Sequence, residues 1–192
     1  MQISPYILAL ALTSGACAAH GAWAMVTSET EAAARKLGAS SAGEVEFDLG
    51  KADLTDLSKD DLNELKSEAE QAGDIKEVRV IAWADKEYPP SEQKKYTTAD
   101  IRLSEERANN VKSYLKDQLH LKSITTYNMA KRPNVFQEML KTPSAAIKNT
   151  LEKSGAAPHS EENTGLFAEN SKSSTVLVLI FKKSMQDNKL IH

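Results

Sequence analysis

The sequence predicts an α/β or α+β fold, a sheet covered by helices, on three observations. Short strand patterns alternate with helical patterns in the order strand, helix, strand, helix, strand. Two of the strands, in "KEVRVIAWAD" and "TVLVLIF", are apolar on both faces, as strands are when helices cover their sheet. The chain is 192 residues long and 41% apolar, enough for one core of ordinary size plus tails.

The elements follow in order. Residues 1–24 contain no Asp, Glu, Lys or Arg, and Ile7 to Ala19 form an apolar run ending in small residues. This run is shorter than the ~20 residues a membrane helix needs, so it reads as a secretory signal peptide. Cleavage fits after Ala24 or after Ala18, and the expected location is the periplasm. Cys17, the only cysteine, invites lipidation, but Ser14 stands where lipoprotein signals carry Leu, which favours plain cleavage. The mature chain then has no thiol for a disulfide or a Cys-based metal site. Residues 25–43 read as a leader with one or two weak helical turns in "ETEAAARKL".

The domain is expected to span residues 44–183. In "EVEFDLG", Val45, Phe47 and Leu49 alternate with acids as a strand closed by Gly50. "LSKDDLNELKSEAEQAG" follows as a helix with Ser58 as N-cap, Asp61 in the capping-box position, a stripe of Leu62, Leu65, Ala69 and Ala72, and Gly73 as stop. Residues 76–85 form the second strand, and Pro89-Pro90 lies in a loop. A second helix starts at Thr98 or Asp100 and runs through "LSEERANNVKSYL", and "KSITTYNM" is the third strand. "VFQEMLK" reads as helical. Thr142-Pro143 starts another helix that ends near Gly155, a polar loop leads to the final strand 175–181, and residues 184–192 form a flexible tail.

Composition narrows the function. With 24 basic and 27 acidic residues scattered along the chain, no basic stripe suits a nucleic acid. After Met25 no apolar run is long enough to span a membrane. His120, His159 and His192 stand far apart, which offers no His-based metal site or catalytic triad. Two S-x-x-K matches, at Ser91 and Ser113, lack companion motifs, and there is no nucleophile elbow or phosphate-binding glycine loop. An enzyme is not expected, nor a cofactor.

One residue is out of pattern. At about 100° per residue, Leu103, Ala108, Val111, Tyr114, Leu115 and Leu119 share one half of the helical wheel, and Arg107 falls in the middle of it. A guanidinium there either snorkels to water or is paired, because a stranded charge costs several kcal/mol. Ser104, one turn earlier, makes with it a small polar island suited to an anion. A matching acid is Asp85, which ends the second strand; ligands of open α/β sheets bind outside such strand ends. Together an acid and a base would suit a zwitterion such as an amino acid.

"LSEERANNVKSYL" is similar to the L-S-x-x-R-A-x-x-V-x-x-Y-L pattern of the OmpA-like peptidoglycan-binding domains, matched at Leu103, Ser104, Arg107, Ala108, Val111, Tyr114 and Leu115. "VIAWAD" resembles the family's strand ending in Thr-Asp, with Ala84 for the Thr, and "VEFDLGKADL" its first strand and loop. The likeness covers about residues 44–182, its specific part residues 78–133. It implies a βαβαβ sandwich with a mixed sheet, and a ligand site in which Asp85 and Arg107 clamp the zwitterionic end of diaminopimelate in the peptidoglycan stem peptide. Arg107 would then be buried because a ligand carboxylate completes its pairing. The chain departs from the pattern in a longer, glycine-free, proline-containing loop, in Asp100 at an Asn position, where an acid would repel a ligand carboxylate, in having only Lys172 near the last strand, and in a segment 133–174 longer than is usual for the family. Two readings follow: a wall-binding module, or a domain of the same fold that has lost wall binding and serves as a scaffold for envelope proteins.

Overall fold

A computed structural model describes residues 26–86, 96–131, 142–153 and 174–183. The expected signal peptide with Cys17, the expected Pro89-Pro90 loop, "VFQEMLK", most of the segment 133–174 and the expected tail lie outside them. Eight elements and one π-helical turn are described: α1 (Ser28–Lys36), β1 (Ser41–Glu46), α2 (Asp56–Gln71), β2 (Ile75–Ala82), α3 (Thr98–Ser113) running into the π turn Tyr114–Gln118, β3 (Ile124–Asn128), α4 (Pro143–Lys153) and β4 (Thr175–Lys182).

The strands form one mixed sheet in the order β1-β4-β2-β3. β4 is antiparallel to both β1 and β2, and β3 lies parallel to β2 after the crossover through α3. β4 thus inserts between two strands that precede it, which is why its sequence is apolar on both faces. Val176, Val178 and Ile180 point into one core with Val45, Val78 and Val80, closed by Leu62, Leu65 and Ala69 of α2 and by Ala108, Val111 and Leu115 after them. Leu177 and Leu179 point into a second core with Ile81 and Trp83, closed by Ala33 and Ala34 of α1 and by Ile147 and Leu151 of α4. The architecture is three-layered, helices covering both faces of the sheet, as an α+β sandwich requires.

Several local expectations shift. α1 lies within the stretch expected to be a leader, and its Ala33 and Ala34 are fully buried. β1 begins at Ser41 and ends at Glu46, so the strand does not continue to Gly50; Leu49 is 77% exposed. The chain leaves the sheet there in a turn closed by Lys51 N–H donating to the Asp48 carbonyl, with Gly50 at φ 71°. The N-cap of α2 is Thr55, not Ser58: the Thr55 hydroxyl accepts from the Ser58 N–H at 3.1 Å, and Ser58, buried in the first turn, donates to the Glu46 carbonyl at 3.0 Å. Ala72 is the exposed C-cap of α2 rather than part of its buried stripe, and Gly73 follows at φ 137°. At the end of α3 the π turn closes with Leu119 N–H to the Tyr114 carbonyl at 3.2 Å, one residue wider than an α bond.

Candidate functional site

The site forms where the C-terminal end of β2, the residue before β4, the loop after β1 and the second and third turns of α3 meet. α3 is placed by its start. Thr97 is its N-cap, not Thr98 or Asp100, and Thr97 and Asp100 make a reciprocal capping box. Two turns of helix then carry Ser104 and Arg107 to the sheet. Ser104 is fully buried and donates to the Ala82 carbonyl at 2.8 Å, so its hydroxyl ties the helix to the last residue of β2 and does not face an incoming anion.

Arg107 has zero exposure, which excludes snorkelling. Its Nη2 donates to Asp85 Oδ1 at 2.5 Å and to the Asp48 carbonyl at 3.1 Å. Its Nε donates to the Lys51 carbonyl at 2.8 Å and its Nη1 to the Trp83 carbonyl at 3.2 Å. The Phe47 ring centroid lies 5.2 Å from the guanidinium carbon. The acid and base expected from separate segments are therefore joined, and the charge of Arg107 is met by Asp85 and three carbonyls of its own chain. A guanidinium has five N–H donors, of which one Nη1 proton remains outside this set.

Asp85 is the outward half of the pair, its side chain 20% exposed. Oδ1 also accepts from the Ser174 hydroxyl at 2.7 Å, and Oδ2 accepts from the Gly50 N–H at 2.6 Å. Burial alone would push its carboxyl up. The hydrogen bonds from Ser174, Arg107 and Gly50 outweigh this and hold it below the ordinary aspartate value. Oδ2 keeps a lone pair able to accept from a cation.

Asp100, expected as an extra acid facing a ligand, is neutralised. Its Oδ2 accepts from Thr97 N–H at 2.6 Å, from the Thr97 hydroxyl at 2.7 Å and from Lys86 Nζ at 2.6 Å. Leu103 is half-buried beside Ser104 and contributes no polar group. Sequence reasoning brought Asp85, Ser104 and Arg107 together. It missed Ser174, Gly50, Lys86 and the carbonyls of Asp48, Lys51 and Trp83. Backbone acceptors leave no trace in residue identity; the one available signal was Gly50, in the turn after β1.

Among the described residues no three His, Cys, Asp or Glu side chains are grouped to hold a metal ion. Nor, among them, is any helix long and apolar enough to cross a membrane. No protein-family model matches the chain. No curated protein matches it either, so the functional argument rests on the residues and their geometry.

Proposed function

We propose that the protein is an exported module that binds peptidoglycan non-covalently, using Asp85 and Arg107 to take the zwitterionic end of diaminopimelate in the stem peptide. The observation that carries this reading is the 2.5 Å pair of Asp85 Oδ1 and Arg107 Nη2 just beyond the C-terminal end of the central strand β2, which stops at Ala82 rather than at the expected Asp85; a sheet of this kind binds ligands outside such ends. The match of "LSEERANNVKSYL" to the wall-binding pattern adds to it. In this reading the ligand ammonium docks on Asp85 Oδ2. The ligand carboxylate would take the remaining Nη1 proton of Arg107, a charge-assisted contact that requires the enclosing loop after β1 to move aside, because the guanidinium has zero exposure. The working compartment is the periplasm.

A second reading, a scaffold of the same fold that no longer binds the wall, is favoured by the enclosure of Arg107, whose four hydrogen bonds all go to its own chain. Co-sedimentation of the purified protein with isolated peptidoglycan separates the two. Wall binding requires that the wild type pellets, that excess free diaminopimelate releases it, and that Asp85→Asn pellets about tenfold less. A wild type that stays in the supernatant, or pellets equally with and without diaminopimelate, leaves the scaffold reading standing. The competition arm is independent of whether the variant folds.

A further inference from the structure

A second surface lies outside the Arg107 network. Along the outer edge of the sheet, where β1 runs beside the first turns of α2, Glu44, Glu46, Phe47, Asp48, Leu57 and Asp61 line a groove of about 500 Å³. Leu57 is 72% exposed, and Leu49, just past Asp48, is 77% exposed; among the described residues these are the exposed large hydrophobics. A single exposed leucine is ordinary. Leu57, however, lies in the wall of the carboxylate-lined groove, where it offers an apolar contact beside the acids.

The charge of the groove identifies what would cover it. Several acids elsewhere on the surface have a cation beside them: Glu31 has Arg35, Asp56 has Lys59, Glu70 has Lys66 and Glu106 has Arg102. Within the groove Asp48 has Lys51. Glu46 and Asp61 have no ion pair among the described residues, and Asp60 and Glu64 of α2 add uncompensated charge nearby. Burial first, then the like charges of Glu64, Asp60 and Glu46, push the Asp61 carboxyl up. A metal ion does not answer this, because no three acids here are grouped tightly enough to hold one. The groove instead has room for several side chains.

We propose that this groove docks a cationic segment of a partner protein, its Lys or Arg side chains set against Glu46 and Asp61 and an apolar side chain against Leu57. Within a Debye length of about 8 Å at physiological salt, Glu46 and Asp61 steer such a segment to the groove. The inference does not rest on wall binding. The groove only adjoins the Arg107 site, through Phe47 and the Asp48 carbonyl.

The test is fluorescence anisotropy of the purified protein with a short labelled peptide of lysines and leucines, beside the same peptide with glutamate for lysine. The lysine peptide is expected to bind at least about tenfold tighter than its acidic counterpart, and to weaken with salt. The double variant Glu46→Lys, Asp61→Lys is expected to lose about tenfold and Leu57→Ser about threefold, with unchanged circular dichroism because the groove positions are at the surface. Excess diaminopimelate is expected to leave peptide binding unchanged, which keeps this result distinct from failure of the wall-binding reading. Equal binding of both peptides, unchanged binding by the double variant, or displacement by diaminopimelate overturns the proposal. So does a dimer in sedimentation velocity that Leu57→Glu dissociates, which would assign the groove to a second copy of the chain.

Discussion

At Arg107, a full positive charge in the core is held by one carboxylate and three carbonyls, and the two halves of the ion pair are not equivalent. Asp85 is partly exposed and has two other donors, Ser174 and Gly50, whereas Arg107 is wholly enclosed. Removing Asp85 strands a cation; removing Arg107 leaves a carboxylate that can still reach water. Asp85→Ala is therefore expected to cost about 3–5 kcal/mol, the range for breaking one side of a buried pair, and Arg107→Leu less, as read from urea unfolding midpoints. The pair also sets an acid limb. Because the folded carboxyl of Asp85 is held below its ordinary value, the stability it contributes is present above that value, about pH 3.9 for an unfolded aspartate, and is lost as pH falls through its lower folded value. Asp56 and Asp100 are lowered as well, so the informative quantity is a difference. The gap in stability between wild type and Asp85→Asn is expected to be widest near neutrality and to close below pH ~4 in acid titrations of thermal stability.

At the scale of elements, caps and close approaches set where each helix begins and how near it lies to the sheet. Thr97 and Asp100 cap α3 reciprocally, and Lys86 bridges to the same carboxylate. Thr97→Ala is expected to lower stability by about 1 kcal/mol in chemical denaturation. α2 sits so close to β1 that a methyl added at Gly43 would meet Leu65 Cδ2 at 2.8 Å. Leu65 is buried and has little room to move, so Gly43→Ala is expected to cost about 1–3 kcal/mol, and Gly43→Ala with Leu65→Val to recover part of it. The same particulars explain what was legible in the sequence. β2 and β4 announced themselves because both faces are apolar, and α3 because its period is clear. Asp85 and Arg107 stood out because a charge on an oily stripe needs a partner. The caps were misread by one to three residues, since Ser58, Thr97, Thr98 and Asp100 are all competent capping residues and only backbone geometry chooses among them. α1 was read as a leader because alanines carry little apolar signal, yet their small size is what lets a helix lie flat on the sheet. β1 was read too far because Leu49 continues an alternation that the chain no longer uses once it turns to lay the Asp48 and Lys51 carbonyls over Arg107.

At the scale of the whole molecule, the sheet is shared by two cores whose helices do not come from the same part of the chain. α2 and α3 close one face and α1 and α4 the other, while alternate residues of β4 serve both. A chain built this way has no face that can open alone without exposing the strand at its centre. The Arg107 network strengthens this coupling, since it ties α3, the loop after β1, the end of β2 and Ser174 before β4 into one junction. One truncation on each face tests the consequence. Leu65→Ala enlarges the space under α2, and Leu151→Ala the space under α4; both side chains are buried, and each loss is expected to cost about 2–5 kcal/mol. If the sheet makes one cooperative unit, both variants unfold in a single transition seen at the same denaturant concentration by circular dichroism and by tryptophan fluorescence, for which Trp83 is a probe buried in the second core. A Leu151→Ala variant whose fluorescence transition separates from its circular dichroism transition would mean instead that α1 and α4 form a layer able to melt from an intact sheet.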